Sequence, residues 1–184
     1  MKPWKTISRT TVFDRPPRVR VESHRVELPD GRIIEEWPWV VMPDYVNVVA
    51  VTEAGLFIMF RQTKYSVAGI TLAPVAGYLE PGESPLSAAR RELLEETGHE
   101  TDDWTTLGSF AVDGNRGCGT GHFYLARDTR QVAEAGADDP EDQDLLTLNR
   151  AEVEKALRRG EFRVMNWSTS VALALLALDD ARDE

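Results

Sequence analysis

Residues 77–98 read GYLEPGESPLSAARRELLEETG and carry more chemistry than any other part of the chain. Ser84 before Pro85 predicts a helix start, with a hydroxyl to cap free backbone N–H groups and a proline tolerated in the first turn. Gly98 predicts its end. At about 100° per residue, Glu92, Glu95 and Glu96 fall in one sector of that helix, leaving Leu86, Ala89, Leu93 and Leu94 to face a core. Three carboxylates in one sector repel each other, and their oxygens are the hard ligands that Mg²⁺ or Mn²⁺ takes, with waters and substrate phosphates completing the shell. A solvated acidic face with an Arg91–Glu95 ion pair is the ordinary alternative for a Glu-rich helix.

The full spacing decides between them. Gly77, Glu83, Arg91-Glu92, an aliphatic Leu93, Glu95-Glu96 and Gly98 stand at fixed intervals. With each fixed residue type at about 6% usage, a chance match in a chain of this length is on the order of one in a million.

The rest of the chain frames this helix. At 184 residues and 42% hydrophobic, it is long enough for a sizeable core but short for two full domains. A net charge of −10 disfavours nucleic acid as a partner, because a phosphate backbone needs a basic surface. Cys118 is the single cysteine, so no internal disulfide is expected. Met1 to Ser8 lacks an apolar stretch, and the longest apolar run, residues 171–178, is too short to span a bilayer; no membrane role and a cytoplasmic location are expected.

Residues 18–28, a Pro29-Asp30-Gly31 turn and residues 33–41 predict an N-terminal β arm over 1–44. Strands are expected at 46–52, 56–62, 104–112, 121–126 and 145–148. Asn149 with Glu152 predicts a capping box opening a helix to Arg159, and a last helix covers about 168–178. Helices with a mixed sheet and no regular βαβ alternation predict an α+β fold or α/β/α sandwich, with the main domain at 45–184. The glycine-rich loop 115–121 is read as a hairpin loop rather than a phosphate cradle, and a lone His122 as structural.

The spaced motif resembles the signature of the Nudix hydrolases. The approach to it, VELPDGRIIEEWPWVVMPDYVNVVAV and FRQTKYSVAGITLAPVAGYLEPGE, is similar to the ADP-ribose pyrophosphatase branch, which hydrolyses nucleoside diphosphates linked to sugars. This chain departs from the pattern at His99, where the family has an aliphatic residue, and at Ala73 and Asn115, where the branch tends to carry Glu and Pro. The resemblance implies the Nudix fold and a metal-dependent pyrophosphohydrolase. ADP-ribose heads the substrates; NADH or a dinucleoside polyphosphate, and a sensor that binds without cleaving, are the alternatives. Glu92 and Glu96 become the principal metal ligands, with Glu95 and the carbonyl of Ala76 or Gly77 beside them, while Arg91 and Glu83 orient the helix. The general base comes from the acidic loop, Glu141 first and Asp142 or Asp144 second, or else Glu95 activates the water. Arg61 matches an arginine that approaches substrate phosphate. Trp37 and Trp39 either stack on the base or form the core of a homodimer made by exchanged arms.

Overall fold

The computed structural model describes residues 1–136 and 143–180, which form two compact units. The first comprises Met1–Asp44 and Phe110–Gly121. The expected arm thus gains a second segment, because the hairpin tip at residues 113–117 supplies partners for the arm's third strand.

Three strands lie wholly in this unit: β1 (Lys5–Arg15), β2 (Val19–Glu27) and β3 (Ile33–Val41), paired antiparallel in sequence order. The β2–β3 turn is closed by Asp30, whose carboxylate accepts from the Arg32 backbone N–H at 3.1 Å. β2 buries alternate residues Glu22, His24 and Val26. β1 was not foreseen in the sequence. All eleven of its residues are exposed, so it has no buried alternation to betray it.

The second unit comprises Tyr45–Ser109 and His122–Glu184. Its elements are β4 (Tyr45–Thr52), β5 (Phe57–Lys64), β6 (Val67–Ala73), β7 (Val75–Tyr78), α1 (Pro85–Thr97), β8 (His99–Glu100), β9 (Asp103–Asp113), β10 (Gly117–Gln131), β11 (Gln143–Leu148), α2 (Arg150–Arg158) and α3 (Met165–Asp180). β9 and β10 contribute residues to both units. β4 pairs antiparallel with β5 and β7, and β5 with β6 and β11. Six consecutive residues of β4, Val46 to Val51, are buried, so both faces of this strand are covered. α1 and α3 both pack on it. The result is an α+β architecture with a mixed sheet.

α1 starts and stops as its sequence predicts. Ser84 Oγ accepts from the Ser87 N–H at 3.2 Å, and Gly98 closes the helix at φ 69° with its N–H on the Leu94 carbonyl. Its buried face differs from the expected one. Leu86 and Leu94 are 37% and 40% exposed, while Ala88, Ala89, Leu93 and Thr97 are buried. The helix is therefore rotated so that Glu92 and Glu96 lie within the inward stripe, between Ala88 and Leu93 in angular order. Two alanines at the contact let the helix sit close to the sheet.

Both reciprocal bonds of the α2 capping box form: Asn149 Oδ1 accepts from the Glu152 N–H at 3.0 Å, and Glu152 Oε2 from the Asn149 N–H at 2.8 Å. Asn149→Ala is expected to cost about 1 kcal/mol of stability, read as a lower urea midpoint at unchanged slope.

Candidate active site on the acidic helix

The site is built where α1 meets β7. β7 is held against β4 with Ala76 opposite Asn47 and Gly77 opposite Val46, so both positions sit in regular sheet. The absent side chain at Gly77 makes room for a carboxylate: a Cβ there would lie 1.9 Å from Glu92 Oε1. Glu96 Oε2 accepts a long 3.4 Å hydrogen bond from the Ala76 N–H.

Arg91 organises the surrounding charge. Its Nε and Nη2 grip Glu83 through both oxygens at 3.0 Å each, Nη1 reaches Glu92 at 2.8 Å and Glu95 at 3.0 Å, and Nη2 also donates to the Tyr78 carbonyl at 3.1 Å. One guanidinium thus ties the loop before α1, the helix and the end of β7 together. The fork geometry of arginine permits this, whereas a lysine would offer a single point of charge.

Two of the carboxylate partners of Arg91 respond oppositely. Its hydrogen bonds hold the Glu83 carboxyl below the usual range. Burial pushes Glu92 up despite its bond to Arg91, and the charges of Glu95 and Glu83 push the same way. Arg91 itself is held more firmly protonated, chiefly by Glu83.

Glu92, Glu95, Glu96 and the Ala76 strand bring only oxygen donors, which suits a hard divalent cation. As the side chains stand, no three His, Cys, Asp or Glu groups among the described residues converge as a cation cage. Glu92 and Glu95 are turned toward Arg91 instead. The donor chemistry and the glycine cradle fit a cation at Glu92 and Glu96; Glu95, with its side chain 60% exposed, stands at the rim.

A cavity of about 50 Å³ opens beside Glu96 and Ala76, lined also by Phe60, Gln62, Lys64, Pro74, Gln143 and Trp167. Lys64 Nζ stands 5.9 Å from the Trp167 ring centre. Strand alternation explains the membership: Phe60, Gln62 and Lys64 share one face of β5. Arg61 consequently lies on the opposite face, in an ion pair with Asp144 at 2.7 Å across the β5–β11 pairing. Arg61 is thus paired with Asp144 and does not line the cavity beside Glu96. Gln62, Lys64, Gln143 and Trp167 were missed in the sequence, although the period-2 pattern running from Phe60 into Gln62 was the available signal.

Of the base candidates, Glu141 and Asp142 lie outside the described residues, and Asp144 is engaged by Arg61. Trp37 and Trp39 belong to the first unit. There Trp37 meets Trp4 edge-on at 5.0 Å and donates from Nε1 to the Asn115 carbonyl, while Trp39 stacks on His24 at 5.3 Å. His24 is buried and bonded to Glu22 at 2.8 Å. The loop before β10 is a hairpin turn, with Asp113 Oδ1 accepting from the N–H groups of Asn115 and Arg116. His122 bonds Ser109 at 2.8 Å, and His99 Nδ1 lies 2.8 Å from the Thr97 carbonyl oxygen.

This geometry sets an acidic helix face against a glycine-bearing strand, and the chain as a whole resembles known proteins. The NUDIX domain model matches residues 42–168. The chain is 32% identical over 179 residues to the methanol dehydrogenase activator of Bacillus methanolicus, covering 96% of this chain and 94% of that protein. It is 30% identical over 178 residues to the ADP-ribose pyrophosphatase of Bacillus subtilis (strain 168), with the same coverage. A crystal structure of an ADP compounds hydrolase superposes with a TM-score of 0.80 at 21% identity, covering 98% of this chain and 97% of that one. The chain belongs to the Nudix hydrolase family, and its fold is the Nudix fold. The reading of the sequence as a Nudix pyrophosphohydrolase agrees with that membership.

Gly77→Ala tests the cradle. The added methyl meets the flexible end of Glu92 rather than backbone, so the fold is expected to survive while the carboxylate is displaced. Hydrolytic activity should fall about tenfold or more with an unchanged circular-dichroism spectrum.

Proposed function

We propose that this chain hydrolyses the pyrophosphate bond of a nucleoside diphosphate linked to a sugar, ADP-ribose foremost, giving a nucleoside monophosphate and a sugar phosphate. The observation that carries the reading is the pair Glu92 and Glu96 on the inward face of α1, set against the glycine-bearing strand β7. The relative named an ADP-ribose pyrophosphatase supports the substrate class. Glu92 and Glu96, with Glu95 and the Ala76 carbonyl, would hold Mg²⁺ or Mn²⁺. Bound there, the ion supplies neutralisation of phosphoryl charge and a lowered water pKa.

The remaining work falls to the chain. Arg91 and Glu83 fix the helix end so that the carboxylates keep their places. Lys64, on the lining beside Glu96, places positive charge near the carboxylates and the phosphate that would bind beside them. Glu141 is the proposed general base; among the described residues Glu95, solvent-accessible at the rim, is the alternative. Attack by water forms one P–O bond and breaks the bridging P–O bond, and the water's proton passes to the base.

Release of phosphate ester from ADP-ribose, ADP-glucose, GDP-mannose, NADH and diadenosine polyphosphates, with Mg²⁺ and with chelator, tests this. Turnover of ADP-ribose is expected with metal and not with chelator. Glu96→Gln should lower kcat about a hundredfold with the fold intact; full turnover in that variant at saturating Mg²⁺ contradicts the assignment. The similarity to a methanol dehydrogenase activator favours one second reading, in which the same scaffold regulates a dehydrogenase. Tight binding of ADP-ribose without cleavage would support a regulatory or sensing role.

The proposal extends to a homodimer acting in the cytoplasm. β1 stands at the end of the strand order and exposes Val12 and Phe13, at 67% and 45%, to solvent. Val12→Glu with Phe13→Glu is expected to convert a dimer to a monomer in light scattering; a wild-type chain that is already monomeric contradicts this part.

A further inference from the structure

Gln62 is 5% exposed on the central strand β5, and its Oε1 is buried with no hydrogen-bond partner among the described residues. An orphaned buried acceptor costs free energy comparable to a lost hydrogen bond, so its presence calls for a donor. Gln62 cannot obtain one from its neighbour across β5–β6. That residue is Thr71, whose single hydroxyl proton is taken up between the Leu72 and Glu161 carbonyls and whose oxygen accepts from the Arg163 N–H. Across β5–β11 the register partner of Gln62 is Gln143, and both line the cavity that holds Glu96 and Ala76.

The size of the cavity limits what can supply the donor. At about 50 Å³ it is too small for a sugar ring or a base. It leaves room for ordered water, which needs about two to four polar partners. Gln62 Oε1, a Gln143 amide N–H and the Glu96 carboxylate are such partners, two accepting and one donating.

We propose that Gln62, assisted by Gln143, is a positioning residue for Glu96, holding a water that donates one hydrogen to Gln62 Oε1 and the other to the Glu96 carboxylate. Outer partners of this kind orient a metal-binding carboxylate and commonly change affinity by about ten- to a hundredfold when removed. The inference rests on the reading of Glu96 as a cation ligand and adds the residues that aim it.

Titration of the full chain with Mn²⁺, following free Mn²⁺ by electron paramagnetic resonance, reads this without any turnover. Gln62→Met keeps the volume and removes the acceptor; Mn²⁺ affinity is expected to fall about tenfold, with kcat reduced and the ADP-ribose KM changed less than about threefold. Gln62→Glu keeps an acceptor oxygen and should retain at least wild-type affinity, which a purely space-filling role would not require. Should Gln62→Met fail to fold by circular dichroism, Gln143→Met at a half-buried position is read instead, with an expected loss of about fivefold. A folded Gln62→Met chain that binds Mn²⁺ as the wild type does overturns the positioning role alone. A wild-type chain that binds no Mn²⁺ overturns the cation site and this inference with it.

Discussion

The site depends on one close approach, the Glu92 carboxylate lodged in the space that Gly77 leaves by having no side chain. That contact requires α1 to lie tight against β7, which in turn requires Ala88 and Ala89 at the interface and Leu93 in the core behind them. It also turns the helix so that Glu92 and Glu96 face inward. A helix that only needed to bury apolar surface would have turned Leu94 inward. The fold accepts exposed leucines and half-buried glutamates instead, a departure from consistent patterning of the kind found at functional sites.

Arg91 is what makes this tolerable in the protein alone. It answers Glu83, Glu92 and Glu95 at once and reaches the Tyr78 carbonyl, so four points on the loop, helix and strand share one guanidinium. One positive charge against three carboxylates leaves a deficit, and burial raises the Glu92 carboxyl accordingly. A divalent cation would make up that deficit. Under the proposed reading, stability would be coupled to cation binding, since crowding that disfavours the bare site would favour the bound one.

Much of this was legible in the sequence because the motif is local. Ser84, Pro85 and Gly98 set the helix ends by short-range backbone chemistry, and Asn149 with Glu152 set those of α2; each forms as its sequence predicts. The helix's inward face was not legible, since hydrophobicity alone assigns leucines to the core and cannot anticipate a carboxylate cradled by a glycine on another strand. Arg61 and Gln62 show the same limit. Adjacent in sequence, they point to opposite faces of β5, and only the pairing with β11 reveals that Asp144 takes the arginine while Gln143 joins the glutamine. β1, exposed throughout, carried no periodic signal.

The central claim is that Glu92 and Glu96 are crowded carboxylates awaiting a divalent cation, and thermal unfolding as a function of Mg²⁺ concentration addresses it most directly. The account predicts that the wild-type midpoint rises with Mg²⁺, as expected for a ligand that binds only the folded state. In chelator, Glu92→Gln with Glu96→Gln should unfold at or above the wild-type temperature and lose the response to Mg²⁺. A wild-type midpoint indifferent to Mg²⁺ and Mn²⁺, or a double variant that still responds fully, would contradict it.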